Sequence, residues 1–138
     1  MAVVRTRRVR DIDGAQAVRE AAEAHAREHG YRVVIAVVDP AGDVLELRRT
    51  PDAQAASVQV GIDKARTAAI FVRPSREIEQ QVSGGRLGAL ALNGAAALTG
   101  GVPLRVDGEV VGAIGTSGET PYEDESVSLA CAAAAFGV

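Results

Sequence analysis

The stretch GGVPLRVDGEVVGAIGTSG, running from Gly100 to Gly118, decides the fold. Two apolar runs flank Asp107-Gly108, a dipeptide that favours the tight turn of a two-residue β-hairpin. A second hairpin reads from YRVVIAVVD, the turn PAGD and VLELRR, residues 31–49. The first of its strands is almost continuously β-branched, as expected of a strand buried on both faces. The second alternates apolar and polar residues and reads as half-buried. Two hairpins and no repeating βαβ unit imply an antiparallel sheet and an α+β fold.

Helical patterns fill the rest. VRDIDGAQAVREAAEAHAREHG carries Ile12, Ala15, Val18, Ala22 and Ala26 at helical spacing, with Asp11 or Asp13 to cap its start and Gly30 to stop it. TPDAQAASVQVGIDKARTAAIFV reads as a second helix with Pro51 in its first turn and a stripe through Val58, Ile62, Ala65, Ala69 and Val72. Ser75, Ile78 and Glu79 suggest a short helix that Gly84, Gly85 and Gly88 interrupt. TPYEDESVSLACAAAAFGV closes the chain as a last helix. The order is α-β-β-α-(α)-β-β-α, and the apolar strands imply helices on both sheet faces.

The 138 residues amount to one domain, 1–138, with enough chain to bury a core. Aromatic residues make up only 3%, so Ala, Val, Leu and Ile must fill that core. The formal net charge of −3 argues against a nucleic-acid binder, which needs a basic face. RTRRVR, residues 5–10, reads as a solvated first strand or arm. Cys131 is the single cysteine, which excludes an intrachain disulfide, and its apolar setting suits a small buried hydrophobe. No signal peptide or membrane-spanning run is visible, so a cytoplasmic protein is expected.

The glycines Gly112, Gly115 and Gly118, followed by Glu119, Glu123, Asp124 and Glu125, invite a motif reading. The spacing G-x-x-G-x-x-G is not a dinucleotide fingerprint, and no Lys-Ser/Thr pair follows as in a phosphate loop. Gly115-Thr-Ser-Gly-Glu119 misses the final glycine of a nucleophile elbow. Close approach by another backbone or a ligand survives, as does an anion-binding concavity of the amides of 115–118. Thr120 and Glu123 have capping-box spacing, so the carboxylates also suit a helix start. Glu119 and Asp124 stay open as site residues. His25 and His29, four apart, share a helix face and suit metal or haem ligation or acid/base work. Asp39, ending an apolar strand, reads either as a turn aspartate bonding PAGD or as a carboxylate needing a buried partner.

VVIAVVDPAGDVLELRR, KARTAAIF, GGVPLRVDGEVVGAIGTSG and EDESVSLA occur in an order that resembles the GlcG/HbpS family of small haem-binding proteins, which includes the C-terminal domain of PduO-type proteins. The resemblance runs from about residue 11 to the end. It implies a profilin-like three-layer α/β/α sandwich with a central antiparallel sheet of about five strands. It also implies a homo-oligomer, from dimer up to octamer, that binds a small molecule, haem in some members. By the same resemblance His25 is the nearest match to a haem-ligating histidine. Lys64 and Arg66 would meet a ligand carboxylate, and Gly115 and Gly118 would border a pocket between the sheet, the first two helices and the Gly112–Gly118 turn.

The chain departs from the family at Arg49-Thr-Pro-Asp-Ala53, where the family often reads Arg-Met-Asp-Gly-Ala. This altered loop motivates a second reading. In it the scaffold is a cofactor-free isomerase, lyase or cyclase, with Asp39, Glu119 or Asp124 as acid/base groups and the amides near Gly115 and Gly118 stabilising an oxyanion.

Overall fold

A computed structural model describes residues 3–136. Its centre is the strand Glu109–Ser117, which pairs on one side with Gly101–Val106 and on the other with Val34–Val38. In chain order the elements are α1 (Ala15–His29), β1 (Val34–Val38), β2 (Val44–Arg49), α2 (Ser57–Ile70), α3 (Arg76–Ser83), a 3₁₀ turn (Leu87–Ala91), β3 (Gly101–Val106), β4 (Glu109–Ser117) and α4 (Pro121–Phe136). The sheet order is β2-β1-β4-β3, antiparallel throughout. Both hairpins form as read from the sequence. Asp107 and Gly108 adopt φ of 51° and 77°, the two positive values that a type I′ turn requires.

The sheet has four strands, not the five or so that the resemblance implies. The basic arm does not supply a fifth. Arg5, Arg7, Arg8 and Arg10 are exposed and form no strand, since four cations over six residues cannot be buried against a sheet. Arg10 is instead tied by ion pairs to Asp107 and Glu109 at the tip of the β3–β4 hairpin.

Three helix boundaries differ from the periodic pattern. Helix α1 starts at Ala15, and Gly14 at φ 103° stands at the cap position; neither Asp11 nor Asp13 caps it. Helix α2 starts at Ser57, six residues after Pro51. Thr50 explains the delay: its hydroxyl and amide both bond Val33, so the chain is still following the sheet, and Asp52 then turns through φ 67°. Helix α2 also ends before Val72, which is half-exposed at φ 57°. The start of α4 is as expected. Glu123 N–H donates to Thr120 Oγ1 and Thr120 N–H to Glu123 Oε1, a reciprocal capping box.

Strand β1 is buried at every position and divides the core. Val33, Ile35 and Val37 pack with Val18, Ala22 and Ala26 of α1 and with Val127 and Cys131 of α4. Ala36 and Val38 pack on the other face against Ala65, Ala68 and Ala69 of α2. Helices thus cover both faces.

Strand β2 is paired as expected but is not half-buried: only Glu46 falls short of full exposure. A bulge is the cause. The register shifts between Val37 and Val38, so Val37 faces Glu46 and Ala36 faces Leu47. A one-residue shift exchanges the two faces of a strand. It places Glu46 and Arg48 under α1, and turns Leu47 to the α2 side of the sheet, where it stays 43% exposed.

Candidate functional site

The glycines of β4 and of the turn after it meet protein backbone rather than a cavity. A Cβ on Gly115 would lie 2.3 Å from Gly61 O and 2.4 Å from Ala65 N, so its missing side chain lets α2 lie directly on β4. A Cβ on Gly118, at φ 144°, would lie 2.4 Å from Arg32 O. The neighbouring amides have partners: Thr116 N–H donates to Gly100 O and Glu119 N–H to Asp124 Oδ1.

Lys64 and Asp124 are brought together. Lys64 Nζ lies 3.0 Å from Asp124 Oδ2 and donates to Thr116 O at 3.1 Å, with both side chains at most 5% exposed. The knot continues through Thr116 Oγ1, Ser128 Oγ and Gly100 O. It joins α2, the approach to β3, the end of β4 and α4. Both ionic groups have hydrogen-bond partners inside the protein, as a buried pair requires.

Glu119 is half-buried and accepts the amide of Arg32 at 2.8 Å, fastening the entry to β1. Asp39 stands at the opposite end of β1, about 23 Å away at ~3.3 Å per residue. Its Oδ1 accepts the amides of Ala41 and Asp43, the turn-aspartate arrangement. Asp39 is therefore remote from Glu119 and Asp124. Arg66 is exposed on the α2 surface, beside Asp63 and Gly94 in a shallow cleft of about 290 Å³, and is separate from buried Lys64.

The C-terminal end of α1 gathers different chemistry. The His25 and His29 ring centroids are 4.2 Å apart, and Tyr31 lies 5.3 Å beyond His29 in a stacked arrangement. His29 Nδ1 is 2.9 Å from the His25 carbonyl oxygen. A carbonyl only accepts, so that bond puts the proton on Nδ1 and leaves Nε2 of the neutral ring with a free lone pair. Tyr31 also lines a cleft of about 310 Å³ with Glu23, Arg27, Arg48, Thr50 and Pro51. Glu23 Oε1 holds Arg48 at 3.0 Å and Arg27 at 3.4 Å, and its Oε2 holds Arg19 at 2.7 Å. Two guanidiniums thus stand at the cleft. His25 and His29 share a helix face about 160° round from Arg27, so the ring row meets the cleft through Tyr31. Among the described residues no group of three or more His, Cys, Asp or Glu is arranged to hold a metal ion by itself.

The sequence singles out His25 and His29 for ligation but assigns no ligand-binding role to Tyr31, Arg27 or Arg48. The i,i+4 spacing of Glu23 and Arg27 was a readable signal. Arg48 was not, because the bulge alone aims it at α1.

Two groups away from this end of α1 have raised pKa values. Burial, opposed by Arg76 and reinforced by Glu79, raises the pKa of Glu125, and burial pushes the Cys131 thiol up to about 12.

Comparison with known proteins agrees with this architecture. Protein GlcG of Escherichia coli K12 is 36% identical over 103 residues, covering 75% of this chain and 77% of GlcG. The crystal structure of Klebsiella pneumoniae protein ORFY superposes with a TM-score of 0.89 at 28% identity, covering 100% of this chain and 99% of that one. A crystal structure of a PduOC–haem complex superposes with a TM-score of 0.81 at 25% identity, covering 90% of this chain and 94% of that one. The family described as haem degrading protein HbpS-like matches residues 11–133, nearly the whole described fold. This match over nearly the whole described fold, with the identity to GlcG, shows that the chain belongs to the HbpS-like family.

Proposed function

We propose that this chain is a haem-binding protein that takes the porphyrin at the C-terminal end of α1. One observation carries the reading: the bond from His29 Nδ1 to the His25 carbonyl leaves Nε2 of the neutral ring free, and His29 stacks on Tyr31, which lines a cleft with two guanidiniums. The residues fit the group. A neutral imidazole is a suitable axial ligand for haem iron. Arg27 and Arg48 match the two carboxylates that a haem carries, because a guanidinium pairs with a carboxylate through parallel hydrogen bonds. Glu23 keeps the two arginines side by side, and the His29 and Tyr31 rings offer a flat apolar surface. The family description and the PduOC–haem complex support the same ligand class.

When bound, haem supplies the redox and ligand-binding chemistry of iron. The chain supplies the imidazole, the carboxylate clamps and the ring surface. His25, whose ring lies tilted 4.2 Å from that of His29, is the second imidazole and the alternative ligand. Hemin titration of the wild type, His29→Ala, His25→Ala and Arg27→Ala/Arg48→Ala tests the assignment. Loss of the Soret shift in His29→Ala places iron on His29. Loss only in His25→Ala moves it to His25, and weakening in the double arginine variant supports the carboxylate clamp.

The acid/base reading gains no such support. Asp39 stands at the far end of β1 from Glu119, and all three carboxylates already accept hydrogen bonds from the protein.

A further inference from the structure

Strand β2 leaves one edge of the sheet open, pairing only with β1. Its Val44 and Leu47, paired with Val38 and Ala36 on the α2 side, are 45% and 43% exposed, and among the described residues neither belongs to a buried cluster. Proteins usually blunt an apolar edge strand, because its unpaired N–H and C=O groups invite another strand. The backbone phase is set by Thr50, whose N–H donates to Val33 O. Alternation along an antiparallel ladder then points the N–H and C=O of Arg49 and Leu47 outward, to the open edge.

We infer that this edge receives β2 of a second copy of the chain, antiparallel, about a two-fold axis through Leu47. The occupant follows from the strand's own charge pattern, VLELRR. In that register Leu47 faces Leu47 of the partner subunit, and their outward backbone groups exchange two hydrogen bonds. Glu46 faces Arg48 of the partner subunit and Arg48 faces Glu46 of the partner subunit, giving two opposite-charge pairs on the α1 side. A two-fold interface must be complementary to itself, and this strand is. The parity also agrees, since Leu47 is one of the residues whose backbone faces outward. The result is a continuous eight-stranded sheet with α1 of both copies on one face. This assigns an interface to the expected homo-oligomer and does not rest on haem binding.

The test is the solution mass of the purified full chain without hemin, by light scattering. The wild type should be an even multiple of the 14.2 kDa chain. Glu46→Arg and Arg48→Glu each set like charges opposite one another twice, and each should lower the mass at least twofold. Mixing the two variants sets opposite charges at both positions again and should restore the wild-type mass, which also shows that both are folded. Leu47→Cys provides a second measurement. Cys131 is buried, so mild oxidation should link two chains only through the substituted position, giving a band of twice the chain mass without reductant. A wild type of single-chain mass, single variants that keep the wild-type mass, a mixture that does not recover, or Leu47→Cys that does not cross-link overturns the interface.

Discussion

Lys64 Nζ and Asp124 Oδ2 lie 3.0 Å apart, 60 residues apart in sequence, with both side chains out of solvent. The pair binds the middle of α2 to the first turn of α4, and both ends have further hydrogen bonds. Removing one partner strands the other as a buried charge, at a cost of about 3–5 kcal/mol. Lys64→Met should therefore destabilise by about that amount in chemical denaturation. Lys64→Met/Asp124→Asn should regain part of the loss, because Asn keeps an acceptor for the Glu119 amide and carries no charge. A double variant no more stable than Lys64→Met would count against the ionic account.

Gly115→Ala tests the seat of α2 on β4. Its Cβ would stand 2.3 Å from Gly61 O and 2.4 Å from Ala65 N, both backbone atoms that cannot rotate away. Overpacking should cost about 3 kcal/mol or more. Gly108→Ala, at a position with open space but φ 77°, should cost less, on the order of 1 kcal/mol of backbone strain. Equal losses, read from denaturation midpoints, would show that packing is not what fixes Gly115.

The thiol of Cys131 is fully buried and pushed up to about 12, so almost none is thiolate at neutral pH. The native protein should resist a thiol reagent at pH 8 and react at once in denaturant. Rapid native labelling would contradict the packing of α4 on α1.

Glu125 gives stability a pH dependence. Its Oε2 is buried with no hydrogen bond, although Arg76 Nε is 3.2 Å away. Burial raises its folded pKa, so the fold binds that proton more tightly than the unfolded chain does. The stabilising share is complete below the unfolded value and lost as pH rises through the folded one. Glu125→Gln should therefore gain on the wild type as pH is raised from 4 to 7. Thermal melts at the two pH values read the difference, and a variant Tm that falls relative to the wild type on raising the pH refutes it.

Much of the fold was legible because it rests on local signals. Asp107-Gly108 announced one hairpin, Asp39 to Asp43 the other, and Thr120 with Glu123 the start of α4. The glycine run was legible as a place of close approach, but whether backbone or ligand approaches depends on where α2 lies. The bulge opposite Val37 could not be read from alternation, and it decides which face Leu47 and Arg48 occupy. The Lys64–Asp124 pair was hidden for a similar reason. Spacing along the chain says nothing about two residues that meet only after two helices have packed on one strand. Residues transferred by resemblance were scattered accordingly, with Lys64 in the interior, Arg66 on a surface and His25 at the end of the ring row.

The most direct test of the central claim is a hemin titration of the purified wild type followed at the Soret band, with His29→Ala beside it. The account predicts a shifted band that saturates at one equivalent per chain, and a loss of affinity on the order of tenfold or more in His29→Ala. A wild type that leaves the spectrum of free hemin unchanged contradicts it.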